Sequence, residues 1–294
     1  MEQDDYTNIP LNSPFRYPGG KFYARKLILE YVPKHGCYIE PMCGGASIFF
    51  AKQKSEKNIL NDIDPELINC LVQIRDNAKE IADYLEGQPA SKEKHDYFKN
   101  KFKQNNELER AARWFYLNRT SYSGIMKFEN CYFGYGDKYS MRPENWRRHL
   151  IKTAQKLEGV ELFNLDFETI INNAPDNAFL FIDPPYFNRD QDKFYSCSFS
   201  KKDHERLTSA LKTNSNRLKF LLTYDDESEI REMYSWANIN SKEWNYMIYR
   251  TDDQTKEKNG NGKKHNGKRY QGQELFIFNY KKPKIIKQTI LGKD

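Results

Sequence analysis

Long hydrophobic runs are missing from this chain. Its apolar stretches are of the kind Ala178-Phe179-Leu180-Phe181-Ile182, far too short to cross a bilayer. No membrane partner is expected. The opening residues Met1-Glu2-Gln3-Asp4-Asp5 are acidic and lead into no apolar segment, so no secretory signal is read there. Cysteine is sparse: Cys37, Cys43, Cys70, Cys131 and Cys197 are scattered, form no Cys-x-x-Cys pair, and have no histidine at ligand spacing. Neither a structural zinc nor a disulfide framework is expected, and a reducing cytoplasm fits. No internal repeat occurs. What is plentiful is aromatic and basic. Aromatic residues reach 15%, with 20 Tyr and 19 Phe, which supplies a core and argues against global disorder. Lys and Arg number 47 against 41 Asp and Glu, a formal charge of +6 that permits a nucleic-acid partner without requiring one.

The local pattern alternates strand and helix. Lys21–Val32 has helical apolar spacing that Pro33 ends, and Tyr38–Glu40 reads as a strand. A glycine turn and a helix over Ala46–Lys52 follow, then a second strand over Asn58–Asn61. Asp64-Pro65 is a helix start, with Asp64 as cap and Pro65 at the first helical position. Residues 76–149 change character. They contain no strong buried strand, and a helix over Glu107–Leu117 precedes the polar segment Asn118–Gly124. This stretch reads as a mainly helical domain inserted between two parts of one α/β domain, 1–75 and 150–294. Strands return at Val160–Phe163, Ala178–Ile182 and Phe220–Thr223, with a closing pair at Trp244–Tyr249 and Glu274–Phe278. Ser200-Lys201-Lys202-Asp203 has the form of a capping box. Asp252–Gln273, low in apolar residues, reads as a mobile loop. The alternation predicts an open α/β sheet.

Three motifs carry chemistry. Asp183-Pro184-Pro185-Tyr186 follows a strand apolar on both faces, so it falls at the sheet edge where open α/β folds bind ligands. The prolines remove two amide donors, which leaves the Asp183 carboxylate and the Pro184 carbonyl to accept from an exocyclic amine. Tyr186 offers a ring for a stacked base. In Glu40-Pro41-Met42-Cys43-Gly44-Gly45, glycines allow close backbone approach, and Asp62 at the end of the next strand suits ribose hydroxyls. The loop lacks the Gly-x-Gly-x-x-Gly spacing, so a nucleoside with a non-phosphate tail fits better than a dinucleotide. Phe15-Arg16-Tyr17-Pro18-Gly19-Gly20-Lys21 lacks the spacer and hydroxyl of a phosphate loop, and reads instead as a turn at a helix start that could hold a carboxylate.

Together Tyr17-Pro18-Gly19-Gly20-Lys21, Glu40-Pro41…Gly44-Gly45, Asn61-Asp62-Ile63 and Asp183-Pro184-Pro185-Tyr186 resemble, in type and order, the Dam-like DNA adenine-N6 methyltransferases of the D12 class, over roughly Phe15 to Tyr280. The resemblance implies a Rossmann-like sheet ending in an antiparallel strand pair, an inserted target-recognition domain, double-stranded DNA as partner and S-adenosyl-L-methionine as donor, with no metal. It places Tyr17, Pro18, Gly19, Gly20, Lys21, Glu40, Pro41, Gly44, Asp62, Asp166, Phe167 and Asp183 around the donor. Asp183, Pro184 and Tyr186, flanked by Phe187, take the target base. Asn118–Phe128 is similar to the family's DNA-reading segment, which makes Arg119, Tyr122, Ser123 and Lys127 candidate DNA contacts. Ser123 stands where the family has Asn and Lys127 where it has Arg, and GATC is the expected target. Lys263, Lys264, Lys268 and Arg269 in the basic loop are candidate phosphate contacts, the bland reading being a solvated hairpin tip. A cognate restriction endonuclease is a candidate partner. Methylation of cytosine N4 or of RNA, and a module of this fold that binds DNA without transfer, stay open.

Overall fold

A computed structural model of the chain describes residues 10–136, 140–187, 199–246 and 270–283. The frame is a seven-stranded sheet in the order β3-β2-β1-β4-β5-β7-β6. The strands are β1 (Cys37–Glu40), β2 (Lys57–Asn61), β3 (Glu161–Phe163), β4 (Phe179–Ile182), β5 (Lys219–Asp225), β6 (Asn238–Tyr246) and β7 (Tyr270–Phe278). The first five run parallel, and β7 enters antiparallel between β5 and β6. Chain order reverses between β1 and β4, which opens a crevice at their carboxyl ends. The expected Rossmann-like α/β sheet with a closing antiparallel pair is present.

Burial explains which strands were readable. β4 is buried at every position and announces itself as an apolar run. β6 begins at Asn238, six residues before the expected Trp244. Its first half, Asn-Ile-Asn-Ser-Lys-Glu, lies at the sheet edge, where one side faces water and polar residues are tolerated. β7 likewise extends back to Tyr270, so residues 270–273 are strand rather than loop. The rest of the basic loop, with Lys263, Lys264, Lys268 and Arg269, lies outside the described residues.

Two apolar layers cover the sheet. On one face Leu60, Phe179, Phe181, Leu221, Phe276 and Phe278 join residues of the helices that precede β3. On the other, Ile39, Ile59, Leu180, Ile182, Leu222 and Ile277 pack with α7 (Phe167–Asn173), α8 (Lys201–Thr213) and α9 (Ser228–Met233). The Ser200–Asp203 capping box opens α8 as expected. α3 (Pro65–Leu85) starts at its Asp64 cap and runs across the 75/76 position, kinking at Asn77. α6 (Trp146–Leu157) likewise crosses 149/150. Between them lie α4 (Lys92–Asn100) and α5 (Glu107–Thr120). Phe98, Ala111, Phe115 and Trp146 belong to the same apolar cluster as the sheet face, so the helical stretch is fused to the sheet through one core. Among the described residues no helix is long and apolar enough to cross a membrane.

α1 (Arg25–Leu29) is shorter than expected, and α2 (Ser47–Ala51) follows β1 closely. The Gly19-Gly20 turn therefore does not sit at a helix N-terminus. α5, by contrast, runs on to Thr120, which draws Asn118 and Arg119 into its buried last turn. There the Asn118 side chain pairs with both backbone groups of Arg16, accepting from its N–H at 2.9 Å and donating to its carbonyl at 2.8 Å. Gly124 completes this joint. Its φ is +73°, and a Cβ there would lie 2.1 Å from the Arg16 carbonyl oxygen. Gly124→Ala is expected to lower unfolding free energy by more than about 2 kcal/mol, since both strain and overlap oppose it. Urea denaturation measures the change.

Candidate active site

The crevice is built where loops leave β1, β2 and β4. After β4 the chain passes into Asp183-Pro184-Pro185-Tyr186, and β5 supplies Thr223 beside it. The Thr223 hydroxyl donates to Asp183 Oδ1 at 2.7 Å. Lys21 reaches the same carboxylate, its Nζ lying 2.6 Å from Oδ1 and 2.7 Å from Oδ2. Lys21 is only 5% exposed, while the Asp183 side chain remains 21% exposed. The carboxylate is thus gripped from inside and open outward. Lys21 also donates to the Gly19 carbonyl at 3.2 Å and sits 4.9 Å from the centre of the Tyr186 ring. The N-terminal motif therefore meets the sheet edge through this lysine, where a role lining the donor pocket was expected.

Tyr186 is fixed at its far end. Its hydroxyl donates to Glu274 Oε1 on β7 at 2.6 Å. Burial, reinforced by the Glu274 carboxylate, pushes the phenol pKa far above its ordinary value, so it stays a donor. Glu274 is fully buried, and burial lifts its pKa to about 8 against the pull of Lys21.

The second half of the crevice lies at β2. Asp62 is 8% exposed. One carboxylate oxygen accepts from the Gly44 N–H at 2.8 Å and the other from the Asp64 N–H at 3.1 Å. A third backbone bond comes from the Ile63 N–H, and capacity for a further donor remains. Burial raises the Asp62 pKa to about 6. Asn61 ties three segments together, donating to the carbonyls of Pro41 at 2.7 Å and Leu165 at 2.9 Å and accepting from the Leu165 N–H at 2.9 Å. Ile63 and Leu165 are 52% and 43% exposed, which places two apolar side chains in solvent beside Asp62. Tyr17 packs against the glycine loop. A Cβ on Gly44, whose φ is +45°, would fall 2.8 Å from the Tyr17 ring. Glycine is required there by both backbone and neighbour. Pro18, Gly19 and Gly20 form the tight turn that returns from Tyr17, closed by the Gly20 N–H on the Tyr17 carbonyl at 3.0 Å.

Other candidates are placed differently. Glu40 is buried and uses Oε1 to accept from the Tyr38 hydroxyl at 2.7 Å and the Phe49 N–H at 2.8 Å, which anchors the first turn of α2. Burial raises its pKa to about 8. Asp166 caps α7 through the Glu168 N–H and pairs with Arg206 at 2.7 Å, whose guanidinium lies 4.9 Å from the Phe167 ring centre. Arg119 is a correction. It is 5% exposed, lies in α5 and donates to the Pro14 carbonyl at 3.4 Å, so it braces the N-terminal segment instead of facing DNA. Tyr122 is exposed, and Ser123 has a φ of +52°, a left-handed backbone that the family's Asn tolerates better. Lys127 is half-buried and Phe128 exposed. Thr223 and Glu274 were missed in the sequence. A polar residue after an apolar run was the available signal for Thr223, whereas Glu274 follows the polar Gln271-Gly272-Gln273 and carried no such signal. Among the described residues no cluster of His, Cys, Asp and Glu could hold a metal.

The family described as D12 class N6 adenine-specific DNA methyltransferase matches residues 17–248. The type II methyltransferase M.CviBI of Paramecium bursaria Chlorella virus NC1A is 31% identical over 229 residues, covering 74% of this chain and 85% of its own. The type II methyltransferase M1.LlaDCHI of Lactococcus lactis subsp. cremoris is 26% identical over 252 residues, covering 78% and 87%. The DNA adenine methylase of Haemophilus influenzae is 27% identical over 248 residues, covering 77% and 84%. Among solved structures, Streptococcus mutans SMU.1697c in complex with SAH covers 87% of this chain and 96% of its own, with 9% identity and a TM-score of 0.34, a distance that adds nothing to the family match. The chain belongs to the D12 class of N6 adenine-specific DNA methyltransferases, site-specific enzymes that use S-adenosylmethionine as methyl donor.

Proposed function

We propose that this enzyme methylates adenine N6 within GATC in duplex DNA, with Asp183 and the Pro184 carbonyl gripping the target amine. The observation that supports the reading best is the Asp183 carboxylate, fixed by Thr223 and Lys21 at the switch-point crevice yet open on its outer side. The residues around Asp62 fit the donor. A buried carboxylate with spare lone pairs suits ribose hydroxyls, and the exposed Ile63 and Leu165 suit the faces of a purine. When bound, S-adenosylmethionine supplies a methyl group already activated by its sulfonium.

The protein's part is orientation. The adenine amine is a weak nucleophile because its lone pair is delocalised into the ring. Hydrogen bonds from its two N–H groups to Asp183 and the Pro184 carbonyl favour a more tetrahedral nitrogen with its lone pair directed away from the ring plane. Orientation of two reactants contributes about 7–11 kcal/mol in favourable cases. The base must first leave the duplex at a cost of a few kcal/mol, which stacking on Tyr186 offsets in part. Tyr122, Ser123 and Lys127 are the proposed DNA-reading residues of the 76–149 domain, with Lys127 contacting guanine as a point charge in place of a forked guanidinium. The names of two type II relatives support a cognate restriction endonuclease as partner.

Asp183→Ala is expected to lose at least about a hundredfold in methylation rate at saturating donor, since a preorganised partner of the reacting group is removed. Transfer at the wild-type rate would contradict the assignment. Sequencing of methylated positions in DNA from cells expressing the chain should find N6-methyladenine in GATC, and a different motif would overturn the target. Donor affinity should depend on Asp62. Its carboxylate is charged above about pH 6 and protonated below, so affinity for S-adenosylhomocysteine falls by up to about tenfold per pH unit on acidification below that point. Stability runs the other way. A folded pKa raised from 3.8 makes ionisation unfavourable to the native state, so this group's contribution declines as pH rises from about 4 to 6. Calorimetric titration of wild type and Asp62→Asn separates the two, the variant showing weak, pH-independent binding over this range.

A further inference from the structure

Glu274 lies outside the motifs that carry the family resemblance. It stands on β7, the strand bonded on both sides within the closing pair, opposite Asp225 of β5 and Lys242 of β6. It is 0% exposed. A carboxylate in such a position is costly unless its hydrogen bonds are specific. Two groups of the crevice meet it. The Tyr186 hydroxyl donates to Oε1 at 2.6 Å, and Lys21 Nζ lies 4.0 Å from the same oxygen while holding Asp183 at 2.6 Å.

Tyr186 follows two prolines, and it meets the sheet with its ring beside Tyr224 and its hydroxyl on Glu274. A phenol ring swings about two torsions, and a hydrogen bond at its far end removes that freedom. Glu274 supplies the bond from a strand that cannot shift without breaking ladders on both sides. Resting on the target-base role of Tyr186 given above, we propose that Glu274 is a positioning residue of the transfer reaction: it sets the plane of the Tyr186 ring against which the extruded adenine stacks.

The proposal separates from a plain packing role by comparison of four variants of the full-length enzyme: Glu274→Gln, Glu274→Leu, Tyr186→Phe and the double variant Tyr186→Phe/Glu274→Leu. Steady-state kinetics are read on duplex DNA, with fluorescence of 2-aminopurine placed at the target adenine. Glu274→Leu and Tyr186→Phe should each lower kcat by about tenfold, leave KM for the donor within about twofold, and alter the emission of the extruded base alike. Glu274→Gln keeps an acceptor oxygen and should stay within about threefold of wild type. The double variant should lose no more than either single one. Losses that multiply, or a Glu274→Leu enzyme at full rate, would overturn the proposal. Should Glu274→Leu fail to fold, Tyr186→Phe decides, because full activity without the hydroxyl leaves Glu274 nothing to position. Asp183→Ala serves as the reference. If it transfers normally the underlying reading fails, whereas an inactive Asp183→Ala beside a fully active Glu274→Leu sinks this inference alone.

Discussion

The ion pair between Lys21 and Asp183 joins residues 162 positions apart and brings together the parts of the crevice. One partner comes from the N-terminal turn, the other from the carboxyl end of β4. The lysine is buried, so its charge has little water to satisfy it, and the carboxylate takes that place. In return the carboxylate is held in one orientation with its outer side available. Thr223 adds a second restraint from β5. Lys21 is turned inward toward the sheet, and the helix α1 starts only at Arg25.

The same N-terminal segment is also tied to the end of α5 and the turn after it. Asn118 captures both backbone groups of Arg16, the Arg16 guanidinium donates to the Ser121 carbonyl at 3.0 Å, and Gly124 leaves room for the Arg16 carbonyl. Residues Phe15 to Lys21 therefore run from the foot of Tyr122–Lys127 to the carboxylate of Asp183. The helices around this segment share an apolar core with the sheet, so the proposed reading domain rests on the catalytic frame with little freedom of its own.

Much of this was legible in the order of residues. β4 could be read because a strand covered on both faces must be apolar throughout. Asp64-Pro65 and Ser200–Asp203 were legible because caps satisfy local backbone donors within a few residues. The motif Asp183-Pro184-Pro185-Tyr186 showed itself through its place after such a strand. The polar half of β6 did not, since an edge strand has only one covered side. The end of α5 was misjudged for a related reason. Asn118 and Arg119 are polar in sequence yet buried, because their partners are backbone groups of residues 14–16, far away along the chain.

Apolar runs, caps and turns marked out the class of fold because each depends on groups adjacent along the chain, whereas the donor and the reaction came from the resemblance of four motifs, in their order, to the D12 class. How these side chains are partnered was decided only by the tertiary structure. Lys21, Thr223 and Glu274 reach Asp183 and Tyr186 across the sheet, and Arg119 turns inward, because burial forces each charge or hydroxyl to find a partner wherever the packed chain offers one.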